Sequence, residues 1–202
     1  MKVLAVLSHP VRESSCGQIF DAFIAGARDA GHEVRIADLH LEGFQPVFVP
    51  EDYAQFDGTP MPEDVRREQA RVEWSDGLVL VFPIWWWSMP AMLKGYIDRV
   101  FSYGWAWADA DEPGASPLGK RKALLIATAG SPKRVYDKYG YGEAMRIQTE
   151  VGILDYWGLS GYRTHILYGV GRNYDDGGPN EGADMGRFLA EARELGRNFG
   201  KD

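Results

Sequence analysis

Hydrophobic positions along the chain fall into two patterns. Near-continuous apolar runs at 3–7, 78–82 and 123–127 predict strands covered on both faces. Segments 34–37 and 165–170 are mixed but rich in β-formers, and predict two further strands. Between these runs, apolar residues recur every three or four positions. A predicted helix over 17–30 carries Ile19, Phe20, Phe23 and Ala27 on one face and stops at Gly31. A second, over 62–75, is charged on one side, with Val65, Ala70 and Val72 on the other. A third, over 91–103, carries Met92, Leu93, Tyr96, Ile97, Val100 and Phe101, and helices over 143–157 and 184–199 complete the set. The stretch 43–62 holds four prolines and reads as a long excursion, since no second core follows it.

Strands and helices therefore alternate. Short, right-handed crossovers make such a chain a three-layer α/β domain over 1–202, with a doubly wound five-stranded parallel sheet in the order 2-1-3-4-5. Ligands of such sheets sit at the carboxyl ends of strands 1, 3 and 4, around the switch point. That rule selects three loops before any motif is consulted: 8–17, 83–90 and 128–142.

Composition narrows the class. The 202 residues are 45% hydrophobic and 25% charged, as expected for a globular chain, with a net charge of -7. An acidic chain gains nothing from phosphate attraction, so nucleic acid is set aside as a partner. One cysteine, Cys16, allows no internal disulfide and fits a reducing compartment. The apolar run after Lys2 is too short for a signal peptide and no stretch is long enough to span a membrane, so the cytoplasm is expected. Five of the seven tryptophans lie between residues 85 and 107, which suggests a flat apolar wall for a planar ligand.

The first loop, S-H-P-V-R-E-S-S-C-G, opens a helix. Its backbone N–H groups and hydroxyls favour an anion, with His9 or Arg12 adding charge; equally, Ser14 and Ser15 can simply cap the helix. It is neither a Walker A loop nor G-x-G-x-x-G. The second, P-I-W-W-W-S-M-P, has three adjacent tryptophans that cannot all enter one core, so at least one is exposed beside a ligand or at a subunit interface. The third, T-A-G-S-P-K-R-V-Y-D-K-Y-G-Y-G, allows close backbone approach at Gly130 and Ser131 and offers Tyr136, Tyr139 and Tyr141 as an aromatic wall, or is an ordinary glycine-rich loop. The four histidines have no zinc-ligand spacing, no metal site is expected, and G-x-S-x-G is absent.

The segment F-P-I-W-W-W-S-M-P-A-M-L-K-G-Y-I-D-R-V-F at 82–101 resembles the central motif of the NAD(P)H:quinone oxidoreductases, flavoproteins of flavodoxin-like fold. L-S-H-P, F-S-Y-G-W-A-W, T-A-G-S and G-I-L-D-Y-W-G-L extend the resemblance over nearly the whole chain. The chain is also similar to the ancillary oxidoreductases of bacterial potassium-efflux systems. The resemblance implies an enzyme with bound FAD, or alternatively FMN, that takes NAD(P)H as co-substrate and passes hydride to a quinone-like acceptor in ping-pong order. It implies homodimers with each site at the interface. An azo or nitro reductase of the same fold, and a regulatory subunit of a membrane transporter, remain as alternatives.

Carried over by position, the resemblance places His9, Ser15, Cys16, Gly17 and Gln18 on the flavin phosphates and ribityl chain. Pro83, Ile84, Trp85, Trp86 and Trp87 line the flavin ring, and Thr128, Ala129, Gly130 and Tyr136 grip its other edge. Trp107, Tyr141 and Tyr156 shape the acceptor and nicotinamide pocket, and Arg187 stands near the adenine end of FAD. There are departures: Cys16 replaces a common asparagine, Trp85 a glutamine and Tyr141 a histidine, while Trp107 and Asp109 replace a tyrosine pair.

Overall fold

The computed structural model describes residues 1–107, 118–159, 161–171 and 185–201. Five parallel strands, β1 (Lys2–Leu7), β2 (Glu33–Asp38), β3 (Gly77–Pro83), β4 (Lys122–Ala129) and β5 (Gly161–Tyr168), form one sheet. Their order is β2-β1-β3-β4-β5, so the direction of winding reverses beside β1. Apart from Lys2, Lys122 and Thr128 towards their ends, the central strands are apolar throughout, because alternate residues serve opposite layers. Leu4, Val6, Leu78, Leu80, Phe82 and Leu125 point into one core, and Val3, Ala5, Leu7, Val79, Val81 and Ile126 into the other.

The second of these cores is closed by α1 (Ser15–Asp29) and α7 (Met185–Asn198). Ser14 caps α1, accepting the Gly17 N–H at 3.2 Å through its hydroxyl oxygen. At the crossing of the two helices, Gly26 and Gly196 let backbone meet backbone; a Cβ on Gly26 would sit 1.9 Å from the Arg193 carbonyl oxygen. The opposite core is closed by α3 (Glu63–Trp74) and α4 (Ala91–Val100), with Leu93, Tyr96, Ile97 and Val100 of α4 facing the sheet.

Several stretches depart from the sequence pattern. The excursion 43–62 contains a 3-10 turn at Pro50–Tyr53 and a short α2 at Ala54–Asp57. Buried Arg99 ties it down by donating to Asp52, to Asp64 and to the Gln45 carbonyl. The loop after β4 folds into α5 (Lys133–Tyr139), which has no long apolar stripe to announce it. The helix expected over 143–157 starts earlier, as α6 (Tyr141–Arg146), and continues as a π-helix over Ile147–Asp155. There the Thr149 hydroxyl donates back to the Met145 carbonyl at 2.7 Å, one turn earlier. Among the described residues, no helix is long and apolar enough to cross a membrane.

Candidate functional site

The carboxyl ends of β1, β3 and β4 open onto a cleft of about 440 Å³, in the usual range for small-molecule sites. One wall is the start of α1. Ser15 and Cys16 open its first turn, where N–H groups have no intrahelical acceptor and the helix dipole favours an anion. Ser14 and His9 complete this wall. Arg12 does not line the cleft; its guanidinium is paired with Asp21, donates to the Gly17 carbonyl and lies 3.5 Å from Asp38.

The facing wall grows out of β3. Pro83 ends the strand, and Ile84 extends it by donating to the Thr128 carbonyl at 2.8 Å. The chain then reverses in two residues: Trp85 N–H donates to the Ser88 carbonyl at 3.0 Å and Ser88 N–H returns the bond at 3.1 Å. Trp86 and Trp87, at the centre of the turn, have φ of 50° and 61°. Such a turn demands positive φ at both central residues and ordinarily takes glycine or asparagine. For bulky residues the conformation costs about 1–3 kcal/mol each, and it persists only where the surroundings over-determine it. Trp87 is wedged edge-on against Tyr136, at 5.4 Å and 75°, and lies flat against Tyr141, at 3.8 Å and 14°. Trp86 is 94% exposed.

Thr128, Ala129, Gly130 and Ser131 form the floor at the end of β4, with Tyr136 and Val170 beside them. Burial pushes the Cys16 thiol up to about 12, although Thr128 hydrogen-bonds it, so the sulfur is protonated at neutral pH and is no nucleophile. Burial also holds the His9 imidazole below its usual value, against the opposing pull of the Val11 carbonyl. Among the described residues lining the cleft none is a carboxylate, in a chain of net charge -7. An anion-favouring helix start facing an aromatic wall suits a planar ring system carrying phosphate.

Of the residues expected from the sequence, His9, Ser15, Cys16, Pro83, Ile84, Trp85, Trp86 and Trp87 come together around this cleft, with Thr128, Ala129, Gly130 and Tyr136. Gly17 and Gln18 lie further along α1, where Gln18 donates to the Glu13 carbonyl. Arg187, near the start of α7, places its guanidinium 4.8 Å from the Phe188 ring. Tyr141 stacks on Trp87 without lining the cleft. Trp107 and Tyr156 instead line a second cavity of about 500 Å³ with Phe48, Tyr53 and Phe56 of the excursion. Asp109 lies outside the described residues. Ser131, expected from the sequence beside Gly130, also lines the cleft, and so does Val170, which the sequence reading missed; each stands two residues past a strand end, Ala129 of β4 and Tyr168 of β5, and that position is the signal that marks Val170.

A doubly wound sheet of this order with a cleft at its switch point defines the class: a small α/β protein with an open site at its strand ends, where ligands of such sheets bind. Residues 1–185 match the family described by its flavodoxin-like fold, and the chain belongs to that family, among the NAD(P)H oxidoreductases and quinone reductases. It is 35% identical to the uncharacterized NAD(P)H oxidoreductase YcaK of Escherichia coli (strain K12), over 69% of this chain and 70% of that one. It is 27% identical to NAD(P)H dehydrogenase (quinone) 1 of Cavia porcellus, over 87% of this chain and 71% of that one. Its structure matches an NAD(P)H:quinone oxidoreductase from Methanothermobacter marburgensis with a TM-score of 0.86 and 30% identity, over 99% of this chain and 96% of that one.

Proposed function

We propose that this chain is a flavin-dependent NAD(P)H oxidoreductase that passes two electrons, as hydride, to a quinone or a similar acceptor. The observation that carries the reading is the strand-end cleft, with the α1 N-terminus on one side and the tryptophan turn on the other. Ser15 and Cys16 N–H groups, with Ser14 and His9 beside them, hold phosphate in this reading. Pro83 to Trp87 and Tyr136 would hold the ring and shield it from water, with Thr128, Ala129 and Gly130 lining its other edge. Flavin bound there supplies reversible two-electron hydride chemistry. The two substrates use one open face in turn, so the oxidised nicotinamide leaves before the acceptor enters. The protein contributes orientation and water exclusion, and no side chain becomes a covalent nucleophile.

FAD is our reading of the cofactor and FMN the alternative, because the excursion 43–62 and the C-terminal helix resemble those of the longer, FAD-binding members of the family. We also propose a homodimer. Trp107 and Tyr156 are away from their own cleft, in a cavity bordered by exposed Tyr53 and Phe56, so a second copy is what brings them to a flavin. A single cysteine suits a reducing compartment, and we assign the cytoplasm.

The deciding experiment is an absorbance spectrum before and after anaerobic addition of NADH or NADPH, with the released cofactor identified by mass. Flavin bands that bleach support the reading, and the mass distinguishes FAD from FMN. Failure to take up flavin, or flavin that neither nicotinamide reduces after reconstitution, overturns it. Rates on quinones, azo dyes and nitroaromatics then rank the acceptors.

A further inference from the structure

We infer that Tyr141 is a positioning residue: it holds the strained tryptophan turn in shape by ring stacking, and its hydroxyl is dispensable for that role. The inference rests on the flavin reading of the cleft, because flavin affinity is one of its two readouts.

The two hydrogen bonds between Trp85 and Ser88 close the turn but do not choose its handedness, since every two-residue hairpin turn makes them. Left-handed backbone at two successive tryptophans therefore needs an external restraint. The helical segment after β4 provides it at two points. Gly140, with φ of 72°, swings the chain from α5 into α6 and sets Tyr141 at its first position, face to face with Trp87. Further along the same segment, Gln148 accepts a hydrogen bond from the Ser88 hydroxyl at 2.9 Å. Tyr136 bounds Trp87 on its edge. Trp87 can leave the left-handed region only by lifting off the Tyr141 ring.

Geometry also separates Tyr141 from the reacting region. Its ring packs parallel to Trp87, and Trp87 rather than Tyr141 borders the cleft. What the turn requires from position 141 is a flat apolar face, which phenylalanine provides as well as tyrosine. The phenol reaches the cleft only through the shape that it imposes on residues 85–88.

The test compares the wild-type apoprotein with Tyr141→Phe, Tyr141→Leu and Tyr141→Met. Far-ultraviolet circular dichroism verifies folding, and having two non-aromatic variants guards against one failing to fold. The tryptophan bands of the near-ultraviolet spectrum report the turn without any cofactor, and titration with FAD and FMN reports the cleft. Tyr141→Phe keeps the near-ultraviolet bands and binds flavin within about twofold of wild type. Tyr141→Leu and Tyr141→Met lose intensity in those bands and bind flavin roughly 3- to 10-fold more weakly, the size of an aromatic pair. Loss of affinity in Tyr141→Phe equal to that in Tyr141→Leu means that the hydroxyl matters and overturns the inference. Unchanged bands and affinity in both non-aromatic variants overturn it as well. If the wild type takes up neither flavin, the flavin reading fails by itself, and the near-ultraviolet comparison still decides the role of Tyr141.

Discussion

The Arg99 guanidinium grips the Asp52 carboxylate with two parallel bonds, Nε to Oδ2 at 2.9 Å and Nη2 to Oδ1 at 3.1 Å, where both side chains are almost fully buried. Asp52 also accepts the Val49 N–H, so it serves at once as the cap of the 3-10 turn and the anchor of the excursion. Removing one partner of such a pair leaves the other charged and buried. Arg99→Ala is expected to cost about 3–5 kcal/mol in urea unfolding. Arg99→Lys restores the charge without the planar fork and recovers only part of it. A loss below about 1 kcal/mol would show that water replaces the guanidinium freely.

The same guanidinium donates to Asp64 at 2.6 Å. Partial burial alone would raise the Asp64 carboxyl; the hydrogen bond and charge of Arg99 outweigh it and hold that carboxyl below its ordinary value of 3.8. A carboxyl depressed by folding stabilises the native state above its unfolded value, and that contribution disappears as pH falls through the folded value. Unfolding midpoints of wild type and Asp64→Asn should therefore differ at neutral pH and converge in acid below 3.8. A gap that stays constant into acid would exclude the ion pair as its source.

Between α1 and α7, a Cβ on Gly196 would sit 2.2 Å from the Phe23 carbonyl oxygen, and one on Gly26 would meet backbone as closely. Backbone cannot rotate away as a side chain can. Gly26→Ala and Gly196→Ala should each destabilise by roughly 1–3 kcal/mol, although alanine is the better helix former in isolation. Thermal melts decide it, and a stabilised variant would mean that the two helices separate at no cost.

Cys16 is 3% exposed and its thiol is protonated across the neutral range. A thiol-specific disulfide reagent should label the native protein slowly at neutral pH and the urea-unfolded protein at once, one equivalent per chain. Flavin should slow the native reaction further, since Cys16 borders the cleft. Fast native labelling would mean that the start of α1 opens readily.

Phe56 is 56% exposed at the rim of the second cavity. Under the homodimer proposal, Phe56→Asp buries a charge against the partner and should shift sedimentation from dimer toward monomer while leaving the far-ultraviolet spectrum unchanged. An unaltered mass in solution would remove this face from the interface.

The apolar runs at 3–7, 78–82 and 123–127 already determined a buried parallel sheet, because only a strand covered on both sides needs an apolar residue at every position. With helices between them, the strand order and the three loops at the switch point followed, and most residues bordering the cleft were legible by position. Tertiary structure decided the rest. Nothing local announces that Trp86 and Trp87 turn left-handed, since their own preferences oppose it and the restraint comes from Tyr141, more than fifty residues away. Helix α5 and the π-helical stretch after Arg146 were likewise hidden, one too short for a periodic stripe and the other set by a hydrogen-bond register that an apolar pattern does not encode. Trp107 and Tyr156 show the same limit: sequence places residues along a chain, but which of two cavities a side chain enters depends on where the excursion folds, and a buried Arg99 holds that segment in place.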